Sequence, residues 1–248
     1  SVFIWGQTTS KAFKGFQEGR YPGLKLSHLE KIKNQVKGIK FLLPRNARDA
    51  QVVRGVQYDN FGITGDFPLL DEIQKKNLIS GRFINRLDIN DSKKVSCIYD
   101  DVYKQLFAID EKAIGEFIKI NDISYKVVGV FEQGDFDFGG ELHIPFTTFQ
   151  EVYNQGDNIG WITVTGEQEF DIRQIEKDVK LALKNLNYVH PDDNRAFGSF
   201  NLGELFDRFE GFLKGMQFLT WFVGIATLIA GVFAIGNILL ITVKERTK

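Results

Sequence analysis

The side chains able to do chemistry are few and scattered. His28, His143 and His190 stand in unrelated local contexts, and no His-x-x-x-His, Glu-x-x-His or Cys-x-x-Cys spacing occurs. A zinc site draws its ligands from such short, fixed separations, so no metal is expected. Cys97 is the single cysteine and falls in an apolar run, where a thiol packs as a small hydrophobe. Asp88-x-Asn90-x-Ser92 opens like a calcium loop. Lys93 then replaces its required glycine and Tyr99 its closing glutamate, so the loop is rejected. No Gly-x-Ser-x-Gly elbow offers a serine nucleophile. No Gly-x-x-x-x-Gly-Lys-Ser/Thr loop is present to cradle ATP phosphates. Asp135, Asp137 and Glu141 surround Phe136 and Phe138 in an acidic loop, read as a solvated tip rather than a partner contact. The chain is expected to be no enzyme and to hold no cofactor of its own.

These residues are mounted on a chain of two textures. Residues 1–214 are mixed and polar, whereas 215–243 contain no Asp, Glu, Lys or Arg. That run exceeds the roughly 20 apolar residues that span a bilayer, so a membrane helix is expected there. Net charge is -1, which leaves no broad basic surface for nucleic acid. One cysteine excludes an intrachain disulfide. The first residues carry no signal peptide, so an upstream membrane helix is expected to deliver the polar part across the membrane. The end at Lys248 reads as a cut.

Periodicity gives the order of elements. Residues 1–23 read as an irregular lead-in. Ser27-His28-Leu29-Glu30 has the spacing of a capping box before a helix with Leu29, Ile32 and Val36 inward. Strands follow at 39–43, closed by Pro44, and at 51–57. A strand is expected at 67–70, another at 95–99 and a short helix at 100–107. Residues 116–120 and 123–130 flank Asn121-Asp122 as a hairpin. A strand at 142–144 ends in Pro145, and Thr147-Thr148-Phe149-Gln150 reads as a second capping box. A strand at 161–165 leads to an amphipathic helix bearing Ile172, Ile175, Val179, Leu183 and Leu186, then a return strand at 196–200. Asn201-Leu202-Gly203-Glu204 opens a last helix without proline, expected to run unbroken from about residue 202 to 243. Leu205, Phe209, Phe212 and Met216 mark its polar-side stalk. Within its apolar part Gly224, Ala226, Thr227, Ala230, Gly231 and Ala234 offer small residues for close helix packing in lipid. Lys244, Arg246 and Lys248 place its far end in the cytoplasm.

Five stretches, in order, resemble the MacB/FtsX-like ABC transporter permeases. They are Ser80-Gly81-Arg82-Phe83 with Asp88, the run 114–120, the run 125–131, Ile144-Pro145-Phe146-Thr147-Thr148, and 229–247 ending in Glu245-Arg246-Thr247. The resemblance implies an α+β fold: a MacB-type periplasmic domain with a discontinuous α/β porter-like lobe and an inserted β-rich lobe. On that reading residues 24–65 and 159–200 form the porter-like lobe and 66–158 the insertion. Residues 201–215 form the stalk, 216–243 the transmembrane helix and 244–248 the cytoplasmic end. It implies a permease subunit in the bacterial inner membrane, with its main domain in the periplasm, that works by mechanotransmission. Its implied partners are a separate ABC-type ATP-binding subunit carrying ATP and magnesium, a second permease copy, a periplasmic membrane-fusion adaptor and the lipid bilayer. Glu245, Arg246 and Thr247 would form the ATPase-coupling end. The alternative from another class is an extracytoplasmic sensor domain of a membrane receptor, which shares the topology.

Overall fold

The computed structural model describes residues 1–248 except 74–75, 109, 133, 135–138 and 247–248. In chain order the strands and helices are β1 (Val2–Gly6), β2 (Leu24–Lys25), α1 (Leu29–Gln35), β3 (Ile39–Arg54), β4 (Gln57–Asp66) and α2 (Leu70–Ile73). Next come β5 (Asn77–Gly81), α3 (Arg86–Asn90), β6 (Val95–Tyr99), α4 (Asp100–Leu106), β7 (Phe117–Ile120) and β8 (Ile123–Glu132). The chain continues with β9 (Leu142–Pro145), α5 (Phe146–Val152), β10 (Asn158–Ile159), β11 (Trp161–Gly166), α6 (Ile172–Leu186), β12 (Phe197–Asn201) and α7 (Leu202–Arg246). The backbone separates into two units, Ser1–Asn201 and Leu202–Lys248.

The first unit is built on one sheet in the order β12-β1-β11-β3-β4-β9-β6-β8-β5, with β7 pairing β3 and β8. Pairing is antiparallel except between β4 and β9 and between β6 and β8. The strand that holds this sheet together is β3. Its residues 39–45 pair with β11 and its residues 46–54 with β4. Two hydrophobic cores follow from that division. One packs Ile4, Ile162 and Val164 against Ile32 of α1 and Ile175, Val179 and Leu183 of α6. The other packs Val52, Ile63, Ile118 and Val127 against Val102 and Leu106 of α4 and Phe149 of α5.

Several sequence expectations are corrected here. Residues 2–6 are not irregular lead-in: β1 is inserted between β11 and β12, with Val2 and Ile4 fully buried. The strands expected at 39–43 and 51–57 are one strand of 16 residues. Pro44 does not end it, because there β3 is paired only with β11 and the missing N–H faces no neighbour. The change of partner strand falls between Arg45 and Asn46. Residues 67–70 are not a strand: β4 ends at Asp66, and Phe67 stacks on Phe146 with ring centroids 4.9 Å apart.

Neither of the first two expected capping boxes forms. Ser27 donates its hydroxyl to Asp157 instead, at 2.6 Å. Thr147 and Thr148 donate to the carbonyls of Ile89 and Lys93, and α5 starts directly after Pro145. A capping box does form where none was expected, between Asn85 and Asp88 at the start of α3.

The β7–β8 hairpin turns through Asn121 and Asp122 with φ of 45° and 67°. Two successive left-handed residues define the tight turn whose twist matches the strands, and glycine takes the second place most easily. Asp122→Gly is expected to stabilise the first unit by a few tenths of a kcal/mol, and Asp122→Val to destabilise it by about 1 kcal/mol. Denaturant midpoints of the two variants check the signs.

Candidate functional site

The polar centre of the first unit lies where β3 changes partner. Arg45 on β3, Asp66 at the end of β4 and His143 on β9 are each about 1% exposed or less. Arg45 Nε donates to Asp66 Oδ1 at 2.5 Å and its Nη2 to Oδ2 at 3.0 Å. His143 Nδ1 meets the same Oδ2 at 2.5 Å. Lys76 Nζ lies 3.3 Å from His143 Nε2 and donates to the Tyr99 hydroxyl. Lysine has only protons to give, so Nε2 accepts and the imidazole proton resides on Nδ1, facing Asp66. Burial alone would push the Asp66 carboxyl up. The Arg45 charge and the bonds from His143 and Arg45 overcome it and hold the group well below the usual carboxylate range. His143 is lowered by burial and by the Lys76 charge, against the pull of Asp66. The cluster is thus a carboxylate, a guanidinium and a neutral imidazole locked together. Removing one partner of such a buried pair costs about 3–5 kcal/mol.

Beside this cluster the sheet opens a cleft of about 1150 Å³. One wall is aromatic: Phe3 and Trp5 from β1, Trp161 from β11 and Phe200 next to the end of β12. These residues alternate with Ile4, Ile162 and Phe197, which point into the helix-covered core. The other wall is polar, with Asp49, Asn60 and Glu141 beside Gly62, Gly139 and Gly140. Glu141 Oε2 accepts from the Gly62 N–H at 2.6 Å. A Cβ on Gly140 would stand 2.0 Å from the Gly62 carbonyl, so only glycine permits this approach of the two segments. The Arg45 guanidinium backs the Trp161 ring at 5.2 Å from within.

The exit of the sheet is bolted by a second polar cluster. Glu176 on α6 accepts from Ser199 at 2.5 Å, Lys180 at 2.9 Å and Asn201 at 3.0 Å. Its burial is outweighed by these bonds, and its pKa is lowered. β12 ends at Asn201 and α7 starts at Leu202, with no loop between them.

The second unit is α7, 45 residues long. With a turn of about 100° per residue, Leu205, Phe209, Phe212 and Met216 fall within roughly 60° of one another. The same stripe continues through Thr227, Ala230 and Ala234, with Gly224, Ala226 and Gly231 along its borders. Phe209, Phe212 and Met216 are exposed on this helix. Thr220 and Thr227 donate to the carbonyls four residues back, at 3.0 and 2.8 Å, which satisfies both hydroxyls within the helix. One helix, Leu202–Leu239, is long and apolar enough to cross a membrane among the described residues. Glu245 and Arg246 belong to the last turn of α7, and Thr247 lies outside the described residues.

Sequence reasoning singled out other side chains that the fold uses for support. Asp88 accepts from Arg82 at 2.6 Å and from the Asn85 N–H at 2.9 Å. Cys97 is fully buried, and burial pushes its thiol up to about 12. Asp135, Phe136, Asp137 and Phe138 lie outside the described residues. No group of three metal-binding side chains occurs among the described residues. The cluster of Arg45, Asp66 and His143 escaped the sequence reading because its partners stand 21 and 77 positions apart. The one available signal was an arginine inside an apolar strand.

Comparison with known proteins places this geometry. Residues 2–182 match the family described as MacB-like periplasmic core domain. The "Macrolide export ATP-binding/permease protein MacB" of Bdellovibrio bacteriovorus is 25% identical over 231 residues, which cover 91% of this chain and 35% of that protein. The chain thus spans about a third of the length of the curated relatives it matches. The periplasmic region of MacB from Actinobacillus actinomycetemcomitans superposes with a TM-score of 0.67 at 20% identity, covering 84% of this chain and 92% of that one. The extracellular domain of the noncanonic ABC-type transporter YknZ from Gram-positive bacteria superposes at 0.66 and 14% identity, covering 81% and 100%.

The titrations of the buried cluster carry a sign. His143 has a folded pKa below its unfolded value near 6.5, so its contribution is full above that pH and is lost as pH falls through it. Asp66 adds a further loss in the carboxylate range. His143→Asn keeps a donor near Nδ1 and removes the titration. Between pH 7.5 and 5.5 the unfolding free energy of the wild type is expected to decline more steeply than that of the variant, as read from denaturant midpoints at the two pH values.

Proposed function

The chain belongs to the family of MacB-like periplasmic core domains, and from that premise we propose that it works as part of an ABC transporter permease subunit. The first unit is the extracytoplasmic domain, and α7 is its stalk and transmembrane helix in a bacterial inner membrane. ATP is hydrolysed by an ABC-type ATP-binding subunit, a reading supported by the "ATP-binding/permease" names of the relatives. That subunit meets the cytoplasmic end at Glu245, Arg246 and Thr247. A second permease copy lies along the small-residue face of α7, and an envelope adaptor meets the outer domain. The cleft in the sheet is the surface turned to cargo.

The observation that carries this reading is the direct passage of β12 into a 45-residue helix whose stretch 215–243 is free of charge. At ~1.5 Å per residue, α7 is about twice the ~30 Å hydrocarbon thickness, so its first turns stand clear of the lipid. Lys244, Arg246 and Lys248 follow the apolar run, in keeping with a cytoplasmic end. A movement imposed there reaches Asn201 through a hydrogen-bonded rod. It enters the sheet at an edge strand held by β1 on one side and by Glu176 of α6 through Ser199 and Asn201.

Two substitutions test the coupling in the intact transporter. Phe212→Pro introduces a kink that costs a helix about 3 kcal/mol. ATP hydrolysis is expected to continue while transport falls to background, with the outer domain folded by circular dichroism. Transport at the wild-type rate would refute the mechanism. Glu176→Ala removes the carboxylate that Ser199 and Asn201 bond, while the ladder to β1, the buried Phe197 and the Lys180–Ser199 bond remain. It is expected to cost about 1–3 kcal/mol of stability, read from the thermal transition, and to lower transport per ATP hydrolysed.

A further inference from the structure

We infer that Lys76 and His143 form a proton-operated latch on the start of edge strand β5, closed at neutral pH and released when His143 takes up a second proton. The latch lies wholly in the first unit and does not depend on the transporter reading.

β5 needs such a fastening. It ends the sheet and pairs with β8 alone. All five of its residues are exposed, and a register shift between Leu78 and Ser80 interrupts its ladder. A strand with so little burial opens at low cost unless something else holds it. Lys76, the residue before it, supplies an inward anchor. Its ammonium donates to the Tyr99 hydroxyl and stands 3.3 Å from His143 Nε2. It lies 4.8 Å from the centroid of the Tyr99 ring and 5.8 Å from that of Phe83. Both rings also meet the imidazole edge to face, at 5.2 and 6.0 Å. Ammonium and imidazole thus share one aromatic box.

Nε2 accepts from Lys76 only while it carries no proton. Once it is protonated, two cations face each other with no hydrogen bond between them. The other charged groups around His143 do not absorb the change. Asp66 on β4 bonds the imidazole, but it is already shared with Arg45 of β3. Three cations would then stand around one carboxylate. From β6, Cys97 lies opposite His143 with its thiol kept uncharged by burial, and Tyr99 is bonded to Lys76. Arg82 and Asp88, close to Cys97, pair with each other. Thr64, opposite His143 on β4, carries no charge. Arg45 and His143 are about 1% exposed, whereas Lys76 is half-buried. Lys76 is therefore the cation that reaches water most easily, and its departure frees the start of β5. Against its burial, Arg45 and His143 hold Asp66 well below the usual carboxylate range. Asp66 stays ionised throughout, so the proton that works the latch belongs to His143.

The test follows a nitroxide on Ile79→Cys, a position 58% exposed on β5, in the full chain held in phosphatidylcholine nanodiscs. Cys97 is fully buried and takes no label in the folded unit. Between pH 7.5 and 5 the mobile component of the spectrum is expected to grow reversibly against the immobile one. The ratio should change by up to about tenfold per pH unit, the limit for one proton. Ring-nitrogen resonances of His143 are expected to titrate over the same range. In His143→Asn and in Lys76→Met the label should lose its pH response. In Lys76→Met the His143 titration should also move to higher pH, because the opposing charge is gone. Glu132 bonds the Asn77 side chain at the same end of β5, so Glu132→Gln removes the nearest rival carboxylate and should keep the response.

A label that stays unchanged while His143 titrates would overturn the latch. So would a response that survives His143→Asn or Lys76→Met, or one that vanishes in Glu132→Gln. Loss of the folded signal in circular dichroism before His143 titrates would overturn it as well.

Discussion

The bidentate pair of Arg45 and Asp66 sets what the rest of the first unit can do. It occupies the place where β3 leaves one partner strand and takes another, and hence where two hydrophobic cores meet on one sheet. A buried guanidinium and carboxylate are costly to desolvate, and they contribute only when both are fully bonded. Here His143 takes up part of the remaining capacity of Asp66, and Lys76 and Tyr99 surround His143 in turn. Apolar side chains of similar size could fill that space with equal stability. They could not fix the register of β3, β4 and β9 at one point, because apolar contacts tolerate sliding and a bidentate pair does not.

This constraint matters for the proposed work of the molecule. A domain that transmits force must resist shear between its halves. The 16-residue β3 spans both, and the ion pair pins its middle. At the exit, Glu176 binds Ser199 and Asn201 near the end of β12, so the strand that leads into α7 is fastened twice. The cleft lies on the face of the sheet that carries Phe3, Trp161 and Phe200, away from Glu176. Its aromatic wall comes from β1, β11 and β12, and its acidic wall from β3, β4 and the approach to β9. On the proposed function, relative movement of these strands changes the width of the cleft, which ties the state of the helix to the space offered to cargo.

What could be read from the sequence follows from how local each signal is. The apolar run of α7, the face of α6 and the Asn121-Asp122 turn are written in neighbouring residues, and their structures follow the pattern. β6 begins and ends where the apolar run does, at Val95 and Tyr99. β1 was missed because five residues are too short to show alternation beside a glycine- and aromatic-rich segment. Pro44 misled because its effect depends on whether a neighbouring strand needs its N–H, a fact of the sheet and not of the residue. Ser27, Thr147 and Thr148 had cap spacing, yet tertiary partners at Asp157, Ile89 and Lys93 claimed their hydroxyls. The cleft and the ion cluster are assembled from strands distant in sequence. Only motifs resembling the MacB/FtsX-like family pointed to such a domain beforehand.

The claim that one ion pair joins two cores into a single cooperative body is most directly tested by native-state hydrogen exchange. The amides to follow are those of Val52 and Ile63 in one core and Ile4 and Ile162 in the other. In the wild type all four are expected to exchange through one global opening, with equal free energies. In Asp66→Asn, which strands the Arg45 charge, the two sets are expected to separate, one core opening without the other. Unequal free energies in the wild type, or a uniform shift of all four amides in the variant, would contradict the account.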